Sequence, residues 1–138
     1  MNINKPEYLD ELIFCANDAR KNSYSPYSKY KVGAALYLDT HKYFYYGTNV
    51  ENASYGLAMC AERSAIFHAV SLGLKGKDFT AMVVATNDGG TSCGACRQVL
   101  YEFNPDMVIY FCKVNDKNQV LETKIYKVSD LLIDPFRL

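Results

Sequence analysis

Two short motifs, Cys60-Ala61-Glu62-Arg63 and Cys93-Gly94-Ala95-Cys96-Arg97-Gln98, constrain the fold more than any other feature of the sequence. Each follows a strand-like or loop-like segment and opens a run of helical composition. After the first, Ala61, Ala65, Ile66, Ala69 and Val70 fall at helical spacings, and Gly73 can stop the helix. After the second, a helix is expected from near Cys93 to Phe103, ended before Asn104-Pro105. The two motifs can act together only if their helix starts face each other across the end of a sheet.

The remaining segments supply such a sheet. Pro6 at a first-turn position, followed by Leu9, Leu12, Ile13, Ala16 and Ala19, predicts an amphipathic helix to about Asn22. Ser25-Pro26-Tyr27-Ser28 reads as a loop. Strands are expected over Val32 to Leu38 and Tyr43 to Val50, joined by a hairpin at Asp39-Thr40-His41-Lys42. Thr80 to Thr86 and Met107 to Cys112 are short apolar runs of buried-strand type, and Val120 to Tyr126 is a last strand. Asn87-Asp88-Gly89-Gly90 breaks the chain, and Ser129 is placed to cap a short turn at Asp130 to Ile133. The pattern predicts a three-layer α/β/α fold with a mixed five-stranded sheet and helices on both faces. With no repeat, linker or low-complexity segment, it reads as one domain over residues 1–138.

Composition excludes several function classes. Hydrophobic residues make up 49% and charged residues 22%, a globular balance. Fifteen basic and fifteen acidic side chains cancel, leaving no electrostatic footprint for a nucleic-acid polymer. The polar stretch Met1 to Glu11 lacks the apolar core of a secretory signal. Nothing approaches the roughly 20 apolar residues of a membrane span, so no membrane partner is expected. A cytoplasmic setting follows as the expectation, where thiols stay reduced. The five cysteines are then core residues, metal ligands or catalysts rather than a disulfide framework.

A Cys-x-x-Cys pair sets two sulfurs on one turn, close enough to bind one tetrahedral zinc, and a helix start favours the thiolate form. Taken alone, Cys93 and Cys96 are equally a redox pair or half of a structural zinc knuckle. A closed knuckle needs a fourth ligand, for which Cys15 and Cys112 are available, although both lie in apolar runs suited to core packing. Neither His41 nor His68 has a spaced partner. Cys60 as third ligand leaves an open position, the catalytic pattern. Three thiolates around a dication carry a net charge of minus one; Arg63 and Gln98 are candidates to donate hydrogen bonds to the sulfurs and offset it. Glu62, two residues past Cys60, is placed to carry protons without ligating.

These residues resemble the zinc deaminases, which pair His or Cys, x, Glu with Pro-Cys-x-x-Cys, and more narrowly the small homotetrameric three-cysteine cytidine deaminases. The resemblance extends to Tyr24-Ser25-Pro26-Tyr27-Ser28-Lys29-Tyr30-Lys31-Val32-Gly33-Ala34-Ala35 and to Asn49-Val50-Glu51-Asn52-Ala53-Ser54-Tyr55-Gly56. It implies one zinc ion per subunit on Cys60, Cys93 and Cys96, with Glu62 as proton shuttle. It implies hydrolysis of cytidine and deoxycytidine to uridine and deoxyuridine plus ammonia, a step of pyrimidine salvage. Asn49 and Glu51 would bond the ribose 3′-hydroxyl, and Tyr30 would lie against the pyrimidine. Phe136 would reach a neighbouring subunit's pocket, and Tyr55 would sit at a subunit contact, so that sites are completed across a homotetramer. The chain departs from the family pattern in its C-terminal Ile133-Asp134-Pro135-Phe136, which bears on the role given to Phe136, and at two single positions. Ser92 replaces a Pro and is expected to cap the helix instead. Tyr30 replaces the usual Phe, and its hydroxyl must find a partner or water.

Overall fold

The computed structural model describes residues 5–138; residues 1–4 of the polar N-terminal stretch lie outside them. Strand β1 (Gly33–Leu38) is buried along its whole length, as its continuous apolar sequence requires of a strand covered on both faces. It pairs antiparallel with β2 (Tyr43–Thr48) on one side and β3 (Phe79–Thr86) on the other. β3 runs parallel to β4 (Val108–Val114), and β5 (Val120–Lys127) closes the far edge antiparallel to β4. The order β2-β1-β3-β4-β5 makes the sheet mixed and five-stranded, as the sequence predicts.

Alternation along the strands divides the apolar side chains between two cores. Ala35, Tyr37, Ala81, Val83, Tyr110 and Cys112 face α1 (Leu9–Arg20), which contributes Leu9, Leu12 and Ala16. Ala34, Leu36, Met82, Val84, Ile109 and Phe111 face the opposite layer, where α2 (Ala61–Ser71) supplies Ala61, Ala65 and Ile66 and α3 (Gly94–Phe103) supplies Leu100. The result is the expected α/β/α layering. Two glycines set how closely the layers approach. A Cβ on Gly33 would lie 1.9 Å from the Ala16 carbonyl oxygen of α1, and one on Gly47 would lie 2.4 Å from the Ala65 nitrogen of α2. Either side chain would push a helix off the sheet.

Buried polar groups tie α1 to the β4–β5 turn. Arg20 Nε donates to Asn17 Oδ1 at 2.9 Å, and its terminal nitrogen pairs with Asp116 at 2.9 Å. Asn17 Nδ2 in turn donates to Asn118 Oδ1 at 2.8 Å. Several boundaries differ from the sequence reading by a residue or two, β2 ending at Thr48 and β4 running to Val114, and two of the differences have a visible cause. α1 begins at Leu9, because Pro6 belongs to a preceding turn whose carbonyl accepts the Leu9 N–H. The last helical turn, α4 (Val128–Leu131), is capped by Lys127 rather than Ser129, with the Lys127 N–H donating to Asp130 Oδ2 at 3.0 Å. Val128 is fully buried, and that anchor starts the turn earlier than expected. Among the described residues no helix is long and apolar enough to cross a membrane.

Candidate active site

Both cysteine motifs open their helices as expected. Cys60 is the N-cap of α2 and Cys93 the N-cap of α3, each with extended backbone just before the first turn. The two helices lie on one face of the sheet, so their starts meet beside the carboxyl ends of β2 and β3. Cys60, Cys93 and Cys96 converge there, with all three sulfurs within 4.8 Å of one another. Cys60 Sγ and Cys93 Sγ stand 3.7 Å apart. Two sulfurs bound at ~2.3 Å to one tetrahedral ion stand about 3.8 Å apart, so the spacing fits zinc.

The electrostatics of the trio also fit a cation. A hydrogen bond from Cys96, helped by Arg63 and Cys93, holds the Cys60 thiol at about 5, against the cost of burial. Cys96 is driven the other way, because its proton is held by Cys60 and it is buried. Cys60 and Cys96 therefore resist ionising together until a positive ion joins them. Arg63 supplies part of that charge: one terminal nitrogen donates to Cys60 Sγ at 3.4 Å, while its buried Nε has no protein partner. Cys15 and Cys112 belong to the core on the other face of the sheet, so neither can close the site as a fourth thiolate. Among the described residues, this trio is the one cluster of His, Cys, Asp or Glu able to hold a metal ion.

Glu62 lines a cavity of about 260 Å³ together with Cys60 and Cys93. It is only 5% exposed, and burial pushes its carboxyl above the usual range while a hydrogen bond from Ser92 opposes the rise. The Ser92 bond corrects an expectation: Ser92 does not cap α3. Cys93 takes that position, its sulfur accepting the Cys96 N–H at 3.5 Å, and Ser92 Oγ turns to donate to Glu62 Oε1 at 2.7 Å.

Asn49, Glu51 and Tyr30 line the same cavity. Asn49 Oδ1 accepts from the Val32 N–H at 2.9 Å and from Ser23 Oγ, while its Nδ2 donates to the Tyr30 carbonyl at 2.7 Å. The acceptor is filled; one N–H remains to offer a ligand. Glu51 accepts from the Ser28 N–H with both oxygens at 3.2 Å and keeps further lone pairs. The Tyr30 hydroxyl finds its partner in Asp88, at 2.7 Å. Burial and that bond push Tyr30 up to about 12, and the same bond pulls Asp88 below the ordinary carboxylate range. Asp88 was not a candidate on sequence, where it reads as part of a chain break; the unsatisfied hydroxyl at Tyr30 is the one signal that pointed to such a partner.

Two expected site residues lie apart from the sulfurs and the cavity. Gln98 does not reach a sulfur: its Nε2 donates to the Phe136 carbonyl at 3.1 Å and its Oε1 accepts the Phe136 N–H at 3.3 Å. Both ends of the amide are thus committed to the C-terminal tail rather than to the thiols. The Phe136 ring is 71% exposed and does not enter the cavity of its own chain. Tyr55, at 81%, is more exposed still.

The arrangement has clear relatives. A family model described as the cytidine and deoxycytidylate deaminase zinc-binding region matches residues 6–112. The chain is 46% identical to the cytidine deaminase of Halalkalibacterium halodurans over 126 residues, 91% of each chain. It is 41% identical to that of Sporosarcina psychrophila over 121 residues, 87% of each. Its fold overlays the crystal structure of cytidine deaminase from Burkholderia pseudomallei with a TM-score of 0.83 and 38% identity, covering 96% of this chain and 100% of the other. The cytidine deaminase of Mycobacterium tuberculosis overlays with a TM-score of 0.76 and 31% identity, over 97% and 100% of the two chains. By sequence, fold and the chemistry of its thiol cluster, this chain belongs to the cytidine and deoxycytidylate deaminase family.

Proposed function

We propose that the chain is a zinc-dependent hydrolase that converts cytidine and deoxycytidine to uridine and deoxyuridine, releasing ammonia. The observation that carries the reading is a cluster of three thiols, two of which, Cys60 and Cys93, line one cavity together with the buried Glu62. Cys60, Cys93 and Cys96 would hold the zinc. When bound, zinc supplies Lewis acidity that makes water a competent nucleophile at neutral pH.

The rest is the work of the chain's own side chains. Glu62 takes a proton from the attacking water and delivers it to pyrimidine N3, which makes C4 more electrophilic. As oxygen adds at C4, the same carboxyl carries the second proton to the departing amino group, so water and cytidine balance uridine and ammonia. A buried carboxyl held above its ordinary range suits both halves of that transfer. Arg63 offsets the negative charge of the thiolates. In this reading Asn49 donates its free N–H to the ribose 3′-hydroxyl, which in turn donates to Glu51, and Tyr30 bounds the base end.

The same reading takes the 138 residues as one catalytic domain of pyrimidine salvage, acting in the cytoplasm. It also takes the working form as a homotetramer in which Phe136 and Tyr55 complete neighbouring sites; the exposure of both rings supports this. The test is ammonia release from cytidine, cytidine monophosphate and a short single-stranded oligonucleotide, with and without a zinc chelator. Turnover of the free nucleoside, abolished by the chelator, is expected. Glu62→Gln should keep its zinc and lose roughly 10²–10⁴-fold in turnover; wild-type ammonia release by that variant would remove Glu62 from the mechanism.

A further inference from the structure

We infer that Ser92 is a positioning residue for the Glu62 carboxylate, fixing which oxygen of that group is free to carry protons. A Glu side chain has three rotatable bonds, and burial alone does not choose among its rotamers. Among the described residues, one side-chain donor meets Glu62: Ser92 Oγ, 2.7 Å from Oε1. Both residues are 5% exposed, so water does not compete freely for that bond. A hydroxyl donating to an ionised carboxylate forms one of the stronger hydrogen bonds available to a protein. With Oε1 engaged, Oε2 is the oxygen left for water and substrate.

The donor is itself held. Arg97 Nε donates to the Ser92 carbonyl at 2.9 Å, and a terminal nitrogen of Arg97 donates to the Leu131 carbonyl at 2.8 Å. Arg97 thereby links the segment before α3 to the end of α4. Ser92 also directly precedes Cys93, so the group that orients Glu62 and one of the thiols move as a single unit. Glu62 is thus registered to the thiol cluster from two sides: through α2, which starts at Cys60, and through Ser92, next to Cys93.

The inference rests on Glu62 being the proton carrier, and the experiment separates the two. Ser92→Ala, Ser92→Thr and Glu62→Gln are compared with wild type for kcat and KM on cytidine, zinc per chain, and equilibrium binding of uridine. If Ser92 positions the carboxylate, Ser92→Ala lowers kcat roughly 10- to 100-fold. KM, zinc content and uridine affinity stay within about threefold, and Ser92→Thr, which keeps the hydroxyl, recovers most of kcat. A merely structural hydroxyl predicts something different: zinc content and uridine affinity fall along with kcat, or kcat does not fall at all. Either result overturns the inference. If Glu62→Gln is inactive while Ser92→Ala turns over like wild type, the Ser92 role is lost and the proton-carrier reading stands. If Glu62→Gln is itself fully active, both are lost.

Discussion

At the scale of single residues, charge decides what the thiol cluster can do. Arg63 reaches Cys60 Sγ from the first turn of the same helix, and among the described residues it is the one cation bonded to the trio. Arg63→Ala should leave the fold intact but weaken zinc binding by 10- to 100-fold, the usual cost of losing a partner that supports a metal ligand; competition with a chromophoric chelator measures it. A second prediction concerns alkaline stability. Tyr30 and Tyr8 are both pushed up to about 12, chiefly by burial. A folded-state value above the unfolded one contributes stability below pH 10 that is lost as pH rises from about 10 toward 12. Tyr30→Phe and Tyr8→Phe should each flatten the fall of the urea midpoint across that window.

Elements place these residues, and the close approach of α2 to β2 is the step on which the site depends. Gly47 lets the α2 backbone pass where a Cβ would lie 2.4 Å from the Ala65 nitrogen. Gly47→Ala should cost roughly 1–3 kcal/mol through overpacking. Because α2 carries Cys60 and Glu62, its displacement should also lower zinc content in protein that remains folded. Gly33 sits under α1, on the face away from the thiols. Gly33→Ala should therefore destabilise at least as much and leave the zinc content of the folded fraction near wild type. Denaturant unfolding paired with metal analysis of the two variants tests the contrast.

For the whole molecule, the apolar surface of one chain is the informative quantity. Leu57 is 70% exposed, Ile133 93%, Phe136 71% and Tyr55 81%, and the edge strand β5 leaves Leu121 and Ile125 open. The homotetramer proposed above would cover such side chains by contact between subunits. Sedimentation velocity on the purified protein should show a species of about four chains, and dilution that dissociates it should reduce activity per chain. A monomer with full activity would sink the proposal that sites are completed across subunits.

Local chemistry made much of this legible in the sequence. Continuous apolar runs mark β1, β3 and β4, and helical spacing after each cysteine motif marks α2 and α3, because burial and backbone periodicity act over a few residues. The places of Cys60, Glu62, Cys93 and Cys96 at the starts of α2 and α3 were legible for the same reason, whereas the meeting of those two helix starts was expected from the family resemblance and is decided by the packed chain. Other facts required the packed chain. Ser92 could be read as a cap or a loop residue, and only the meeting of α2 with the segment before α3 turned its hydroxyl to Glu62. Gln98 sits two residues past Cys96 in α3, yet the C-terminal tail claims its amide. Cys112 and Cys15 lie on the other face of the sheet from the three cluster thiols, Cys112 by its position in β4 and Cys15 because α1 packs on that face. Side chains that act within their own turn are readable from sequence; those whose partners lie thirty or more residues away are decided by the tertiary fold, because local spacing carries no record of which distant group will meet them.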